Sequence, residues 1–86
     1  MKILYYHTAE WCAPCKNLKP KVKKLCDENN IVFDERDIDN REKPPVIDDL
    51  MGFPTIAIET SEGVGYDIIL PHEATLARIK KVLCLE

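Results

Sequence analysis

No apolar run in this chain is long enough to cross a membrane or to direct export. Met1-Lys2-Ile3-Leu4-Tyr5-Tyr6 opens like a signal peptide but turns polar within a few residues. Export needs an apolar core of about 7–15 residues, and a membrane-spanning helix needs about 20. The expected address is therefore cytoplasmic. Positive charge is also short: 12 Lys and Arg stand against 15 Asp and Glu, a net charge of −3 with the two signs interleaved. That balance argues against a nucleic-acid-binding protein, and no acidic tail is present. Aromatics are few, at 7%. Repeats, low-complexity tracts and linker-like stretches are missing. The 86 residues, 45% of them apolar, read as one domain over residues 1–86, near the small end for a stable core.

What is present gathers around Trp11-Cys12-Ala13-Pro14-Cys15. The chain has four cysteines, which in a small secreted protein could form two structural disulfides. Without an export signal that reading weakens, and a Cys-x-x-Cys in a reducing compartment reads as a redox pair. An apolar stretch precedes the pair and an amphipathic one follows, so it sits at a strand-to-helix junction. A helix start presents unpaired N–H groups and the positive end of the helix dipole. A thiolate there is stabilised, and its pKa falls. The i, i+3 spacing lets the second sulfur reach the first.

Lys2 to His7, rich in Ile, Leu and Tyr, predicts a first strand buried on both faces and so central in a sheet. From Cys12 to about Glu28, apolar Cys15, Leu18, Val22, Leu25 and Cys26 recur at helical spacing. Lysines 16, 19, 21, 23 and 24 cover the other side. Pro20 is expected to kink that helix, and Asn29-Asn30 to stop it. A second strand runs from Ile31 to about Ile38, parallel to the first because a helix joins the two. Pro44-Pro45 then predicts a short helix through Leu50, ended by Gly52. Thr55 to Glu59 and Val64 to Leu70 form a hairpin around Glu62-Gly63. Pro71-His72-Glu73 opens a last helix with Leu76, Ile79, Val82 and Leu83 facing inward. The order is β-α-β-α-β-β-α.

With those motifs in place the chain resembles the thioredoxin superfamily, and its thioredoxin branch more than its glutaredoxin branch. Ala9-Glu10-Trp11-Cys12-Ala13-Pro14-Cys15-Lys16 is similar to the thioredoxin active-site segment, with Ala13 where glycine is usual. Pro20 matches the proline within the active-site helix. Asp37-Ile38-Asp39 matches the end of the next strand, and Gly52-Phe53-Pro54-Thr55 the cis-proline loop. The resemblance implies an α/β, thioredoxin-like minimal core: a four-stranded mixed sheet, order 2-1-3-4, flanked by helices. It also implies a cis bond before Pro54. The chain starts one strand and one helix later than a full thioredoxin, and Tyr6 replaces the buried aspartate six residues before the first cysteine. Glu35 aligns with the lysine that accompanies that aspartate, and is a candidate proton carrier if it points inward.

The function these readings imply is reduction of disulfides in partner proteins by dithiol exchange. Cys12 attacks and Cys15 resolves, with a thioredoxin-reductase-type electron donor, no cofactor, no metal and a monomeric chain. Trp11, Ala13, Pro14, Phe53 and Pro54 shape the site, the backbone of Phe53 offering β-like pairing to an extended substrate. A glutathione-dependent, glutaredoxin-like reductase is the alternative. It is disfavoured by Ala13-Pro14 between the cysteines and by Leu70-Pro71-His72 where glutaredoxins carry a glycine pair. A zinc module is the third reading, but Cys26, Cys84, His7 and His72 are scattered singles without a second close pair. Cys26 and Cys84 are expected as small apolar core residues or as a second disulfide. His7 and His72 are expected to be structural and surface residues respectively.

Overall fold

The computed structural model describes residues 2–39, 44–47, 50, 52–59 and 65–83. Strand β1 (Ile3–Thr8) leads through a turn into helix α1 (Ala13–Glu28) and strand β2 (Val32–Asp37). Strands β3 (Thr55–Glu59) and β4 (Tyr66–Ile69) follow, then a 3-10 turn at Pro71–Glu73 and helix α2 (Leu76–Val82). The sheet order is β2-β1-β3-β4. β1 and β2 are parallel, whereas β3 is antiparallel to both of its neighbours. This is the mixed sheet the resemblance implies, with β1 central.

Period-2 alternation sorts the sheet residues between faces. Leu4 and Tyr6 lie across from Ile58 and Ile56, and Ile56 across from Ile69. All five are buried on one side, with Val22 and Cys26 of α1 and with Ile79 and Leu83 from the C-terminal helix and its cap. Burying a side chain of this size stabilises by about 1.5–3 kcal/mol, so this layer carries most of the fold. The α1 stripe is the one its spacing predicts: Cys15, Val22 and Cys26 are buried, and Leu18 and Leu25 half-buried against them. Pro20 lies within α1, where it has no N–H to offer the Lys16 carbonyl. Asn29 closes the helix, its amide N–H bonding the Cys26 carbonyl at 3.2 Å and its side chain the Leu25 carbonyl at 2.8 Å. Asn30 then turns the chain through a left-handed conformation (φ 56°), which asparagine tolerates well.

Two helix boundaries differ from expectation. The helix predicted over 44–50 is absent from the described residues of that stretch: Pro44–Ile47 and Leu50 are non-helical. Pro45 disfavours helical backbone at Pro44, and the backbone groups bond to the sheet instead. The Pro44 carbonyl accepts from Arg36 at 3.0 Å, and the Val46 N–H donates to His7 Nε2 at 3.2 Å. The last helix starts later than Pro71. Pro71–Glu73 forms only a 3-10 turn, and Thr75 supplies the true cap, its hydroxyl accepting from the Arg78 N–H at 3.2 Å. A hydroxyl cap satisfies an orphan amide that proline cannot. Val64 and Cys84 lie outside the described residues. Gly52 adopts φ +155°, and a Cβ there would meet Pro71 Cγ at 3.3 Å, so glycine seats the β3 approach against the 3-10 turn.

Ile79 is the one fully buried side chain within α2. Ile79→Ala is expected to lower unfolding free energy by about 2–5 kcal/mol, read as a drop in urea midpoint.

Candidate active site

The site is built on the exit from β1. The chain turns at Ala9–Trp11, where the Cys12 N–H bonds the Ala9 carbonyl at 3.1 Å. Cys12 keeps extended backbone (φ −92°, ψ 99°) and acts as the N-cap of α1. Ala13 and Pro14 fill the first helical positions, where the missing proline N–H is no loss. The Cys15 N–H points back and donates to Cys12 Sγ at 3.3 Å. The Lys16 N–H closes the first turn on the Cys12 carbonyl at 3.3 Å. The two sulfurs are joined as a disulfide, with Cα atoms 5.3 Å apart. No acidic residue occupies the first turn of α1, so its positive end is not offset locally and acts on Cys12 Sγ.

Ala9, Cys12 and Cys15 form a small buried cluster against which Phe53 packs. Cys12 is the more accessible sulfur residue, though only 5% exposed against 0% for Cys15. Trp11, 71% exposed, sits edge-to-face on Phe53 with centroids 5.6 Å apart. The Phe53–Pro54 bond is cis, as the resemblance implies, and Pro54 is buried. The Thr55 hydroxyl closes the loop by donating to the Gly52 carbonyl at 2.6 Å. Trp11, Ala13 and Pro14 adjoin the cysteines along the chain, Phe53 packs on them across the fold, and Pro54 follows Phe53 through the cis bond.

Tyr6 is the residue whose role its position in the sequence did not assign. Fully buried beneath α1, it donates its phenol O–H to the Cys15 carbonyl at 2.8 Å. Burial, and then the nearby Glu35 carboxylate, push its pKa far up, so the phenol stays protonated and remains a donor. Signal for this existed only in the resemblance, where Tyr6 falls at a position usually held by a buried acid.

Glu35 lies across from Tyr6 in the β1–β2 register. Its carboxylate reaches Lys19 Nζ at 2.8 Å, both side chains being partly exposed. Lys19 is one turn beyond Cys15 on α1, so this pair borders the resolving cysteine's side of the helix. Cys26 is buried in the main core, where desolvation first and Asp27 second push its thiol up to about 11. Cys26 is a free thiol, and Cys84, its suggested partner, lies outside the described residues. His7 is buried at the end of β1, and His72 is exposed. Among the described residues, no three His, Cys, Asp or Glu side chains are grouped to hold a metal ion, and no helix is long and apolar enough to cross a membrane.

Comparison with known proteins agrees with this geometry. A family model described as thioredoxin matches residues 1–81. Mouse thioredoxin is 50% identical over 34 residues, which are 38% of this chain and 32% of the mouse protein. Thioredoxin-3 of Dictyostelium discoideum is 28% identical over 76 residues, 87% of this chain and 73% of its own. The mouse and rat matches thus span about a third of those relatives (32%). Among solved structures, Fasciola hepatica thioredoxin superposes with a TM-score of 0.79 at 25% identity, covering 98% of this chain and 79% of that one. A variant thioredoxin from Halobacterium salinarum gives 0.76 at 21% identity over 94% and 70%, a likeness of fold alone.

Two outcomes follow from the burial pattern. Tyr6→Phe is expected to cost about 1 kcal/mol of stability in denaturant unfolding, the worth of one hydrogen bond. In the folded, reduced protein Cys26 is expected to resist iodoacetamide at pH 8 and to react only on unfolding, as mass spectrometry would read.

Proposed function

Since the chain belongs to the thioredoxin family, we propose that it reduces disulfides in partner proteins by dithiol exchange. The observation that carries this reading is the placement of Cys12 Sγ at the N-terminus of α1, accepting from the Cys15 N–H and bonded to Cys15. In the reduced state the Cys12 thiolate attacks one sulfur of the partner's disulfide. That S–S bond breaks, the first partner thiolate leaves, and a mixed disulfide forms on Cys12. Cys15 then loses its proton and attacks Cys12 Sγ. The second partner thiolate leaves, and two electrons have passed to the partner. The product is the Cys12–Cys15 disulfide. Restoring the dithiol takes two electrons from a thioredoxin-reductase-type donor.

Exposed Trp11 and the adjoining Phe53 provide the docking surface, and the backbone of Phe53 pairs with an extended segment of the partner. Ala13 and Pro14 fix the turn that holds the two sulfurs in register. Glu35 serves as the proton carrier for Cys15. Its support is the cross-strand neighbour Tyr6 and the Lys19 partner one turn from Cys15.

Cys15→Ser leaves the attacking thiol but no resolving one. It is expected to accumulate partner proteins as mixed disulfides on Cys12, mapped by mass spectrometry; a trap on Cys26 or Cys84 would refute the assignment. Insulin reduction separates the donors: turnover with thioredoxin reductase supports this reading, and turnover with glutathione alone replaces it by a glutaredoxin-like one.

A further inference from the structure

We propose that His7 is a positioning residue for the exchange reaction: its neutral imidazole ties the segment before the Phe53–Pro54 loop to the strand after it, and acid unlocks that tie. This rests on the reading of the loop as the partner-binding edge. His7 stands at the end of β1, on the sheet face opposite the helices, and is 1% exposed. Both ring nitrogens are engaged. The Val46 N–H donates to Nε2 at 3.2 Å, and Nδ1 lies 3.1 Å from the Thr55 carbonyl. An amide can only donate, so Nε2 must accept. The single proton of the neutral ring is therefore on Nδ1, donating to Thr55.

Thr55 is the residue directly after Pro54, and its hydroxyl bonds back to the Gly52 carbonyl at 2.6 Å. One connected line of hydrogen bonds thus runs from Val46 through His7 to Thr55 and on to Gly52, bracketing Phe53 and Pro54. Phe53 in turn packs on the cysteine cluster. Arg36, across from His7 in register, holds the same segment from β2 by donating to the Pro44 carbonyl at 3.0 Å. It is itself paired with Asp34 at 2.9 Å and lies over the Tyr5 ring.

Adding a proton to Nε2 turns its acceptor into a donor that faces the Val46 N–H. That bond is lost, and the Pro44–Val46 segment is released from the ring. The charged groups facing His7 among the described residues are Arg36 and Asp34, both from β2; β3 and the Pro44–Ile47 segment present backbone groups. Burial, the leading cause, lowers the His7 pKa; Arg36 lowers it further, while the Thr55 bond and Asp34 oppose the shift. The neutral form therefore holds through pH 7, and protonation begins below the ordinary histidine value of about 6.5. Because the folded-state pKa is depressed, the stability tied to neutral His7 is complete above pH 6.5 and is lost as pH falls through the folded value.

The test measures kcat/KM for reduction of insulin and of a small aryl disulfide that needs no backbone pairing, from pH 8 to pH 5. Taking their ratio removes the titration of the Cys12 thiol, which both substrates share. The wild-type ratio is expected to stay level to about pH 6.5 and then to fall on the order of two- to tenfold, the worth of one neutral hydrogen bond, through a rise in KM for insulin. His7→Asn keeps a donor for Thr55 but has neither an acceptor reaching Val46 nor a titratable ring. Its ratio is expected to be independent of pH and to sit at the wild-type acid value. A level wild-type ratio, or a His7→Asn profile matching wild type, overturns the proposal while leaving the exchange chemistry intact. Inactivity of the wild type toward both substrates overturns both. On the wild-type protein alone, long-range proton–nitrogen NMR is expected to show the Nδ1–H tautomer at pH 7, and the Nε2–H tautomer would contradict it.

Discussion

One contact organises this protein: the Cys15 N–H directed at Cys12 Sγ across the first turn of α1. An amide at a helix start has no carbonyl within the helix to bond, and here a sulfur takes that place. Removed from that amide, Cys12 would be a buried thiol with no reason to ionise. Held against it, the sulfur gains a donor and the field of a sixteen-residue helix whose first turn carries no acid. The remaining architecture fixes the two ends of this contact. β1 delivers Cys12 through the Ala9 turn, and the buried stripe of α1 anchors the helix to the sheet.

The layer beneath α1 shows how the fold meets a polar requirement within an apolar core. Tyr6 fills volume in the main cluster beside Leu4 and Ile56, yet its hydroxyl ends on the Cys15 carbonyl. A buried hydroxyl without a partner would be costly, so this bond both satisfies the phenol and ties strand to helix below the disulfide. An uncharged donor does this without the desolvation cost of a buried carboxylate. Charge is kept at the rim, where the partly exposed Lys19–Glu35 pair adds little to stability but places a carboxylate beside the helix turn that carries Cys15.

Much of this was legible in the order of residues because local chemistry and tertiary packing agree there. The apolar run of β1 that makes it the central strand, the stripe through Cys15, Val22 and Cys26, the Asn29-Asn30 stop and the CxxC junction each follow from one local pattern or one cap. The stretch from Pro44 misled for a definite reason: proline at a first helical position is a good helix-start signal, but two in succession with no following cap leave backbone groups that His7 and Arg36 claim from a distance. Pro71 misled similarly, since Thr75 makes the better cap. Tyr6 and His7 carry bonds to Cys15, Thr55 and Val46 that link positions 9 to 48 residues apart, and no local pattern encodes such distances. The cis bond at Pro54 was legible only through the resemblance of its surrounding motif.

The claim on which this account turns is that the helix start holds Cys12 as a thiolate. The most direct measurement is the rate of alkylation of Cys12 in the reduced protein as a function of pH, followed by mass spectrometry so that each cysteine is read separately. The account predicts a titration midpoint below the value of about 8.5 for a free cysteine. A midpoint at or above that value would contradict it.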